Sequence, residues 1–396
     1  MELFAEIADP AANPPLGVMI FALGGLAGAV FYLPFKRVRH WAWESYWMIY
    51  TLAALLIVPW VMAFTFSPNV LEVLAATPPE TLGLCFAFGA MWGAGGLTWG
   101  LMIRYLGVGL GVAIGCGLCA AVGTLVPPLL LGDFQELVTL PLGPATLVVW
   151  CVGVAVSLVG IVVTGAAGMS KERELSEAEK KAHVAEFNFT RGMFAAVFSG
   201  VMSAGMSIGV SMGDVGGDKS MLKLATEQME PYTSKTWEGL PVLVVVLLGG
   251  FTVNFVWCLL LNWKNRTAGD YARVNVRAGL NVLLSALAGI LWYSQMAFFT
   301  IGNASTGHYK FTGWSVLMSS LIVFSTLWGI VLLEWKGASQ RTRTLLTTGL
   351  AILVVSMAII GYGNYLKPEK PKPSAGGDAP VAAAGIGVDA QGAIPR

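Results

Sequence analysis

The chain has 396 residues, of which 56% are hydrophobic and only 12% charged, with a mean hydropathy of +0.69, against roughly 25% charged residues in soluble domains. Such a composition cannot cover itself with polar surface, which excludes a soluble domain. A net charge of +1 gives no field for nucleic acid or an acidic partner. The apolar runs exceed 20 residues and are apolar on every side, so backbone polarity must be satisfied within each segment by a helix. A membrane barrel would show alternating stretches of about 10 residues instead. The fold class expected is an all-α membrane protein of about ten transmembrane helices.

In chain order, residues 1–14 carry Glu2, Glu6 and Asp9 and no basic residue. That is the wrong sign for a signal-peptide leader, so the first helix is expected to be retained. Apolar runs punctuated by charge place spans at roughly 15–35, 45–66, 82–104, 107–131, 144–166, 190–213, 239–262, 278–301, 312–334 and 343–363. The third and fourth are parted only near Gly107, which predicts an antiparallel helical hairpin. Residues 167–189 mix both charges at helical spacing and read as a cytoplasmic linker with a short helix. Residues 364–396 are rich in Pro, Gly, Ala and Lys, a composition expected to be disordered.

Placing the N-terminus outside puts 16 of the 24 Lys and Arg residues in cytoplasmic loops. The positive-inside rule therefore favours periplasmic termini at both ends. The linker divides the bundle into five-helix halves, 15–166 and 190–363. Gly17 and Gly25 match the spacing of Gly192 and Gly200, and Trp92 and Gly107 match Trp292 and Gly307. Five spans per half is an odd number, so a duplicated half lies inverted in the membrane, a 5+5 inverted repeat.

Small residues at Gly107, Gly111, Gly115, Cys119 and Gly123 form a stripe that reads either as a sliding surface or as static close packing. Cys116 and Cys119 form a C-x-x-C inside an apolar helix, where a thiol acts as a small hydrophobe, and no cofactor or metal is implied. Ser199, Ser203, Ser207 and Ser211 recur every four residues and could bond a polyol or their own helix. Asn254 and Gln295 are amides near mid-span, with Asn281 nearer the cytoplasmic end. An amide suits vicinal hydroxyls, or pairs with a neighbouring protein group. Trp92, Trp99, Trp292 and Tyr293 lie at comparable depth, whereas Trp41, Trp43, Trp47, Trp60, Trp263 and Trp335 read as an interfacial belt. Deep aromatics beside amides make a sugar site, since a ring face packs on C–H surface while amides take hydroxyls. No carboxylate falls at mid-depth, which fits a neutral substrate.

Several blocks resemble one known family. They are FYLPFKRVRHWAWE (31–44), FGAMWG (88–93), RYLG (104–107), VGTLVPP (122–128), FSGVMSAGMS (198–207), NVLLSALAGILWYSQ (281–295), GWSVLMSS (313–320) and LLEWKG (332–337). In order and spacing this pattern is similar to the L-rhamnose-proton symporters of the drug/metabolite transporter superfamily. The resemblance runs over residues 17–363 and implies ten helices and uptake of a neutral 6-deoxyhexose with a proton. The chain departs from the pattern at polar places, with Gly96, Thr98 and Trp99 after the third-span glycine, Leu280 before Asn281, and Lys310 where an acid is usual.

These readings together describe a multi-pass transporter of the bacterial inner membrane, a bilayer protein that takes up L-rhamnose or a related neutral sugar. Its expected substrate contacts are Trp92, Trp99, Thr98, Ser203, Ser207, Asn254, Asn281, Trp292, Tyr293 and Gln295, with Glu44 and His308 as proton-coupling candidates. Glu44 reads alternatively as the ion-pair partner of Lys36, Arg37 and Arg39. Rival functions are transport of another small metabolite and a sugar sensor that moves nothing. A membrane enzyme would need a metal-binding carboxylate cluster or a nucleophile with its base, which the sequence does not supply.

Overall fold

The computed structural model describes residues 14–132, 143–174, 188–272, 276–306, 312–333 and 335–366, together with Gln135 and Val138. Among the described residues, ten helices are long and apolar enough to cross a membrane. They are α1 (Pro15–Arg37), α2 (Trp43–Phe66), α3 (Pro79–Leu106), α4 (Ile114–Leu131), α5 (Pro144–Lys171), α6 (Thr190–Met212), α7 (Lys235–Asn265), α8 (Arg277–Thr306), α9 (Thr312–Val331) and α10 (Gln340–Gly363). This is the helical membrane bundle that hydropathy predicted, with boundaries shifted by a few residues. The charged run after α5 begins as its direct continuation, helical to Glu174. The rest of the expected linker, residues 175–187, the tail from 367 and the first thirteen residues lie outside the described residues.

Residues Pro79–Leu131 are helical, yet the chain reverses between the span that ends at Leu106 and the one that begins at Ile114. A Cβ on Gly115 would meet Trp99 and Met102, and one on Gly111 would meet Met102. On a straight helix Trp99 and Gly115 would stand about 24 Å apart at 1.5 Å per residue. The hairpin expected near Gly107 is therefore present.

Packing between helices depends on small residues, as it must where lipid offers apolar groups no worse a surround. Helix α1 packs on α8 and α9, and α6 packs on α3 and α4; α7 packs on α2 and α3, and α8 on α2; α5 pairs with α10. Gly17 lies against Thr306 and Gly302 of α8, and Gly25 against Ser320 of α9. Gly192 lies against Leu106 and Tyr105 at the end of α3, and Gly200 against Gly115 and Leu118 of α4. The stripe on α4 is used in the same way: Gly123 faces the Trp314 ring, whose Nε1 donates to the Cys119 carbonyl at 3.1 Å. The α3–α7 contact is the tightest, since a Cβ on Gly89 would come within 1.9 Å of the Val246 carbonyl oxygen.

Loops tie the bundle at both faces. On the face bearing the start of α2, Glu174 accepts from the Ser339 backbone amide and from the hydroxyls of Ser339 and Thr342, joining the ends of α5 and α10. Those bonds hold its carboxyl down at about 2. On the other face, residues 214–238 fold into short helical turns that bury Met221, Leu224 and Ala225.

Candidate functional site

Aromatic side chains converge where α2, α3, α7 and α8 meet. Trp92 of α3 and Trp292 of α8 stack with centroids 5.0 Å apart and planes at 28°. Tyr50 of α2 meets Trp292 edge-on at 6.3 Å and lies 4.6 Å from Trp47, which packs on Phe35. Each such pair adds about 0.5–1.5 kcal/mol beyond burial. Close approach makes room for them: a Cβ on Gly250 would sit 2.6 Å from the Trp92 ring, and one on Gly289 would strike the Tyr50 carbonyl and Ala54.

Polar groups border this cluster. Asn254 is buried, donates to the Gly250 carbonyl at 2.9 Å and accepts from Trp47 Nε1 at 3.1 Å. Its amide thus fixes the indole of Trp47 and keeps one further N–H, because an amide carries two. Gln295, one turn beyond Trp292, is 4% exposed and its side-chain oxygen lies against Gly28 of α1. The hydroxyls of Tyr293 and Thr51 are fully buried and make no hydrogen bond among the described residues. A buried hydroxyl without a partner costs about 1–3 kcal/mol, so each marks unused binding capacity, one on α8 and one on α2. Helix α2 also widens to π-helical bonding over Leu52–Ile57, directly after Tyr50 and Thr51, a distortion that is frequent at functional sites.

Of the sequence-predicted contacts, Trp92 and Trp292 come together here, with Asn254 at the edge of the cluster through Gly250 and Trp47; Tyr293 and Gln295 follow Trp292 on α8, where Gln295 lies against α1. The others have different neighbours. Trp99 packs with Met102, Leu106 and Ala196 in a separate cluster near the α3–α4 turn. Thr98 bonds back to Ala94 and Gly95 and lines a cavity of about 600 Å³ between α3 and α6 with Leu101, Tyr105, Phe194 and Phe198. Ser207 donates to the Gly123 carbonyl at 2.7 Å, and Ser199 to Gly95 at 2.7 Å, so these serines join helices. Ser203 is 7% exposed and faces Gly95. Asn281 clamps the backbone of Arg39, donating to its carbonyl at 2.9 Å and accepting from its amide at 3.3 Å. Glu44 accepts from Asn265 Nδ2 and Thr267 Oγ1, both at 2.9 Å. His308 and Lys310 lie outside the described residues.

Sequence reasoning missed Trp47 and Tyr50, having assigned Trp47 to the interfacial belt. Their signal was the i, i+3 spacing of Trp47 and Tyr50, which puts both on one face of α2. Among the described residues, no three His, Cys, Asp or Glu side chains gather as metal ligands.

The L-rhamnose-proton symport protein family matches residues 12–365 of the chain. The chain belongs to this family. It is 36% identical over 360 residues to the L-rhamnose-proton symporter of Cronobacter sakazakii (strain ATCC BAA-894), covering 88% of this chain and 97% of the relative. The L-rhamnose-proton symporters of Klebsiella pneumoniae (strain 342) and Yersinia pestis (strain Pestoides F) are 34% and 33% identical over 352 and 357 residues, with the same coverage. The matched family is one of symport proteins, not enzymes, and this member is a multi-pass membrane protein.

Proposed function

We propose that the chain is a secondary active transporter of the bacterial inner membrane that takes up L-rhamnose, or a closely related neutral sugar, together with a proton. Its family and its relatives' names support this substrate and this coupling ion. Both termini face the periplasm in this reading, supported by the 16 of 24 basic residues that then lie in cytoplasmic loops.

The observation that carries the site is the Trp92–Trp292 stack. The two halves are an inverted repeat in this reading. Exchanging α1–α5 for α6–α10 maps the helix contacts onto themselves: α1 on α8 and α9 becomes α6 on α3 and α4, and α7 on α3 becomes α2 on α8. The glycine pairs follow, Gly17 and Gly25 answering to Gly192 and Gly200 on the corresponding partner helices. Trp92 and Trp292 are then equivalent residues, and equivalent residues touch only on the axis that relates the halves. Transporters built from inverted repeats bind substrate near that axis at mid-membrane.

The sugar's C–H surface packs on the Trp92 and Trp292 rings. Gln295, the free N–H of Asn254 and the hydroxyl of Tyr293 take its hydroxyl groups. A neutral substrate needs no counter-charge there. Parting of the two halves at alternate ends then exposes the site to one side at a time. The test is uptake of labelled L-rhamnose by sealed proteoliposomes with and without an imposed pH gradient. Accumulation that follows the gradient is expected; binding without uptake would make the protein a sensor, and uptake blind to the gradient would remove the proton.

A further inference from the structure

Two buried polar clusters join the first five helices to the second five, one at each face. On the face bearing the start of α2, Asp270 in the α7–α8 loop accepts from the Ala42 amide at 2.9 Å and from Ser45 Oγ at 2.8 Å. Glu44 is held by Asn265 and Thr267 beside it, and Trp41 meets Tyr271 edge-on at 5.7 Å. On the opposite face, Asn69 in the α2–α3 loop donates to the carbonyls of Ala225 at 2.8 Å and Met229 at 2.7 Å. Thr233 Oγ1 bonds Asn69 at 2.7 Å and Ser67 at 2.7 Å, and Phe66 stacks on Trp237 at 4.4 Å.

The two clusters occupy corresponding places in the two halves, although Asn69 donates to backbone carbonyls where Asp270 accepts from a backbone amide. In each, a side chain just after the second helix of one half (Asn69 after α2, Asp270 after α7) grips the segment that enters the second helix of the other half. The spacing of 200 residues from Trp92 to Trp292 carries Ser67 onto Thr267 and Asn69 onto Gly269, the neighbour of Asp270. An aromatic pair seals each cluster. Helix α2 links them, with Ser45 in one, Ser67 in the other, and Tyr50 between touching Trp292.

We infer that Asn69 and Asp270 are the latch residues of the two gates of the transport path, each cluster opening while the other stays closed. This rests on the transport reading above. Alternating access needs the halves to part at one end at a time, and hydrogen bonds at a helix end exchange for bonds to water at small net cost, whereas the glycine contacts along the helices have no such substitute. Both latches are closed in this structure, with the aromatic cluster shut between them.

Two double-cysteine variants test the inference, Ser67→Cys with Thr233→Cys and Ser45→Cys with Asp270→Cys. The side chains they replace lie 2.7 and 2.8 Å apart, and formation of each disulfide is confirmed by loss of free thiols before transport is read. In proteoliposomes, oxidation of either pair should end both L-rhamnose uptake and exchange, reduction should restore them, and single variants should ignore the oxidant. Cross-linked protein that still moves sugar at its reduced rate overturns the gates. Failure of the unaltered chain to move rhamnose would instead count against the transport reading. Thiol labelling then decides the gates without a substrate. A membrane-impermeant maleimide is applied to Gln295→Cys, with the unaltered chain labelled in parallel to subtract its five native cysteines. Adding Asn69→Ala should raise labelling only from the face of residues 214–238, and adding Asp270→Ala only from the opposite face. An equal rise at both faces, or none, means that these residues only hold the bundle together and sinks the proposal.

Discussion

Gly28→Ala tests the role of Gln295 without altering it. A Cβ at Gly28 would stand 2.0 Å from Gln295 Oε1, 2.6 Å from its Cδ and 3.0 Å from Leu321 Cδ1. Every atom it meets is the far end of a flexible side chain, and real Cβ atoms essentially never approach closer than 3.0 Å. The amide must therefore move by about 1 Å or more while the backbone stays where it is. Helix stability is not at risk, since Ala exceeds Gly in helix propensity by about 1 kcal/mol. A neutral hydrogen bond is worth about 0.5–1.5 kcal/mol net, so losing one bond from Gln295 to the sugar weakens binding roughly 2- to 12-fold. Equilibrium binding of labelled L-rhamnose to purified protein and the KM of uptake read this directly, with a thermal-unfolding midpoint measured alongside. Gly25→Ala is the contrast, because its Cβ would press on Leu321 N, a backbone atom, at 2.7 Å. There the cost is overpacking, about 1–3 kcal/mol, and the midpoint should fall. If Gly28→Ala binds and transports as tightly as the unaltered chain, Gln295 does not touch the sugar.

Trp92→Leu and Trp292→Leu should each abolish uptake, while Trp99→Leu, whose ring packs on Met102 and Leu106, should lower the unfolding temperature and spare sugar affinity. Equal loss of affinity in all three would dissolve the distinction between the two clusters. Alkaline phosphatase fused after residue 366 should be active; an inactive fusion paired with an active cytoplasmic reporter at the same point reverses the orientation. Glu44→Gln and His308→Gln are measured for accumulation under a pH gradient and for exchange at equilibrium, since loss of a proton carrier ends the first and leaves the second. Accumulation by both variants would move coupling to another group or another ion.

The ten helices were legible because the bilayer imposes a single rule, and every apolar run of sufficient length obeys it. The α3–α4 reversal was legible for a related reason, since two spans with no room for a loop between them must turn on glycine. What stayed hidden were partners far apart in sequence. Asn281 and Trp47 are separated from their partners by 242 and 207 residues, and an amide carries no sign of whether its bond goes to a sugar or to the Arg39 backbone. Depth along a span does not say which way a ring points, so Trp47 read as belt although its N–H is turned inward to Asn254. The turns in residues 214–238 escaped notice because their order comes from Asn69 and Thr233 rather than from any apolar period of their own.

The Trp92 and Trp292 match was visible as a coincidence of spacing and acquired meaning only when the fold stacked one ring on the other. If the proposed repeat holds, a pair on its axis belongs equally to both halves, so a substitution there should act on inward-open and outward-open forms alike. Asn69 and Asp270 lie at opposite faces, so in the proposed scheme each should bias only one of those forms. They also differ in kind: the Asn69 amide donates to backbone carbonyls, whereas the Asp270 carboxylate accepts from a backbone amide, and only the bonds accepted from hydroxyls are shared. If the proposed repeat and gates hold, the amide of Asn69 and the carboxylate of Asp270 would let the two faces respond differently to the same sugar.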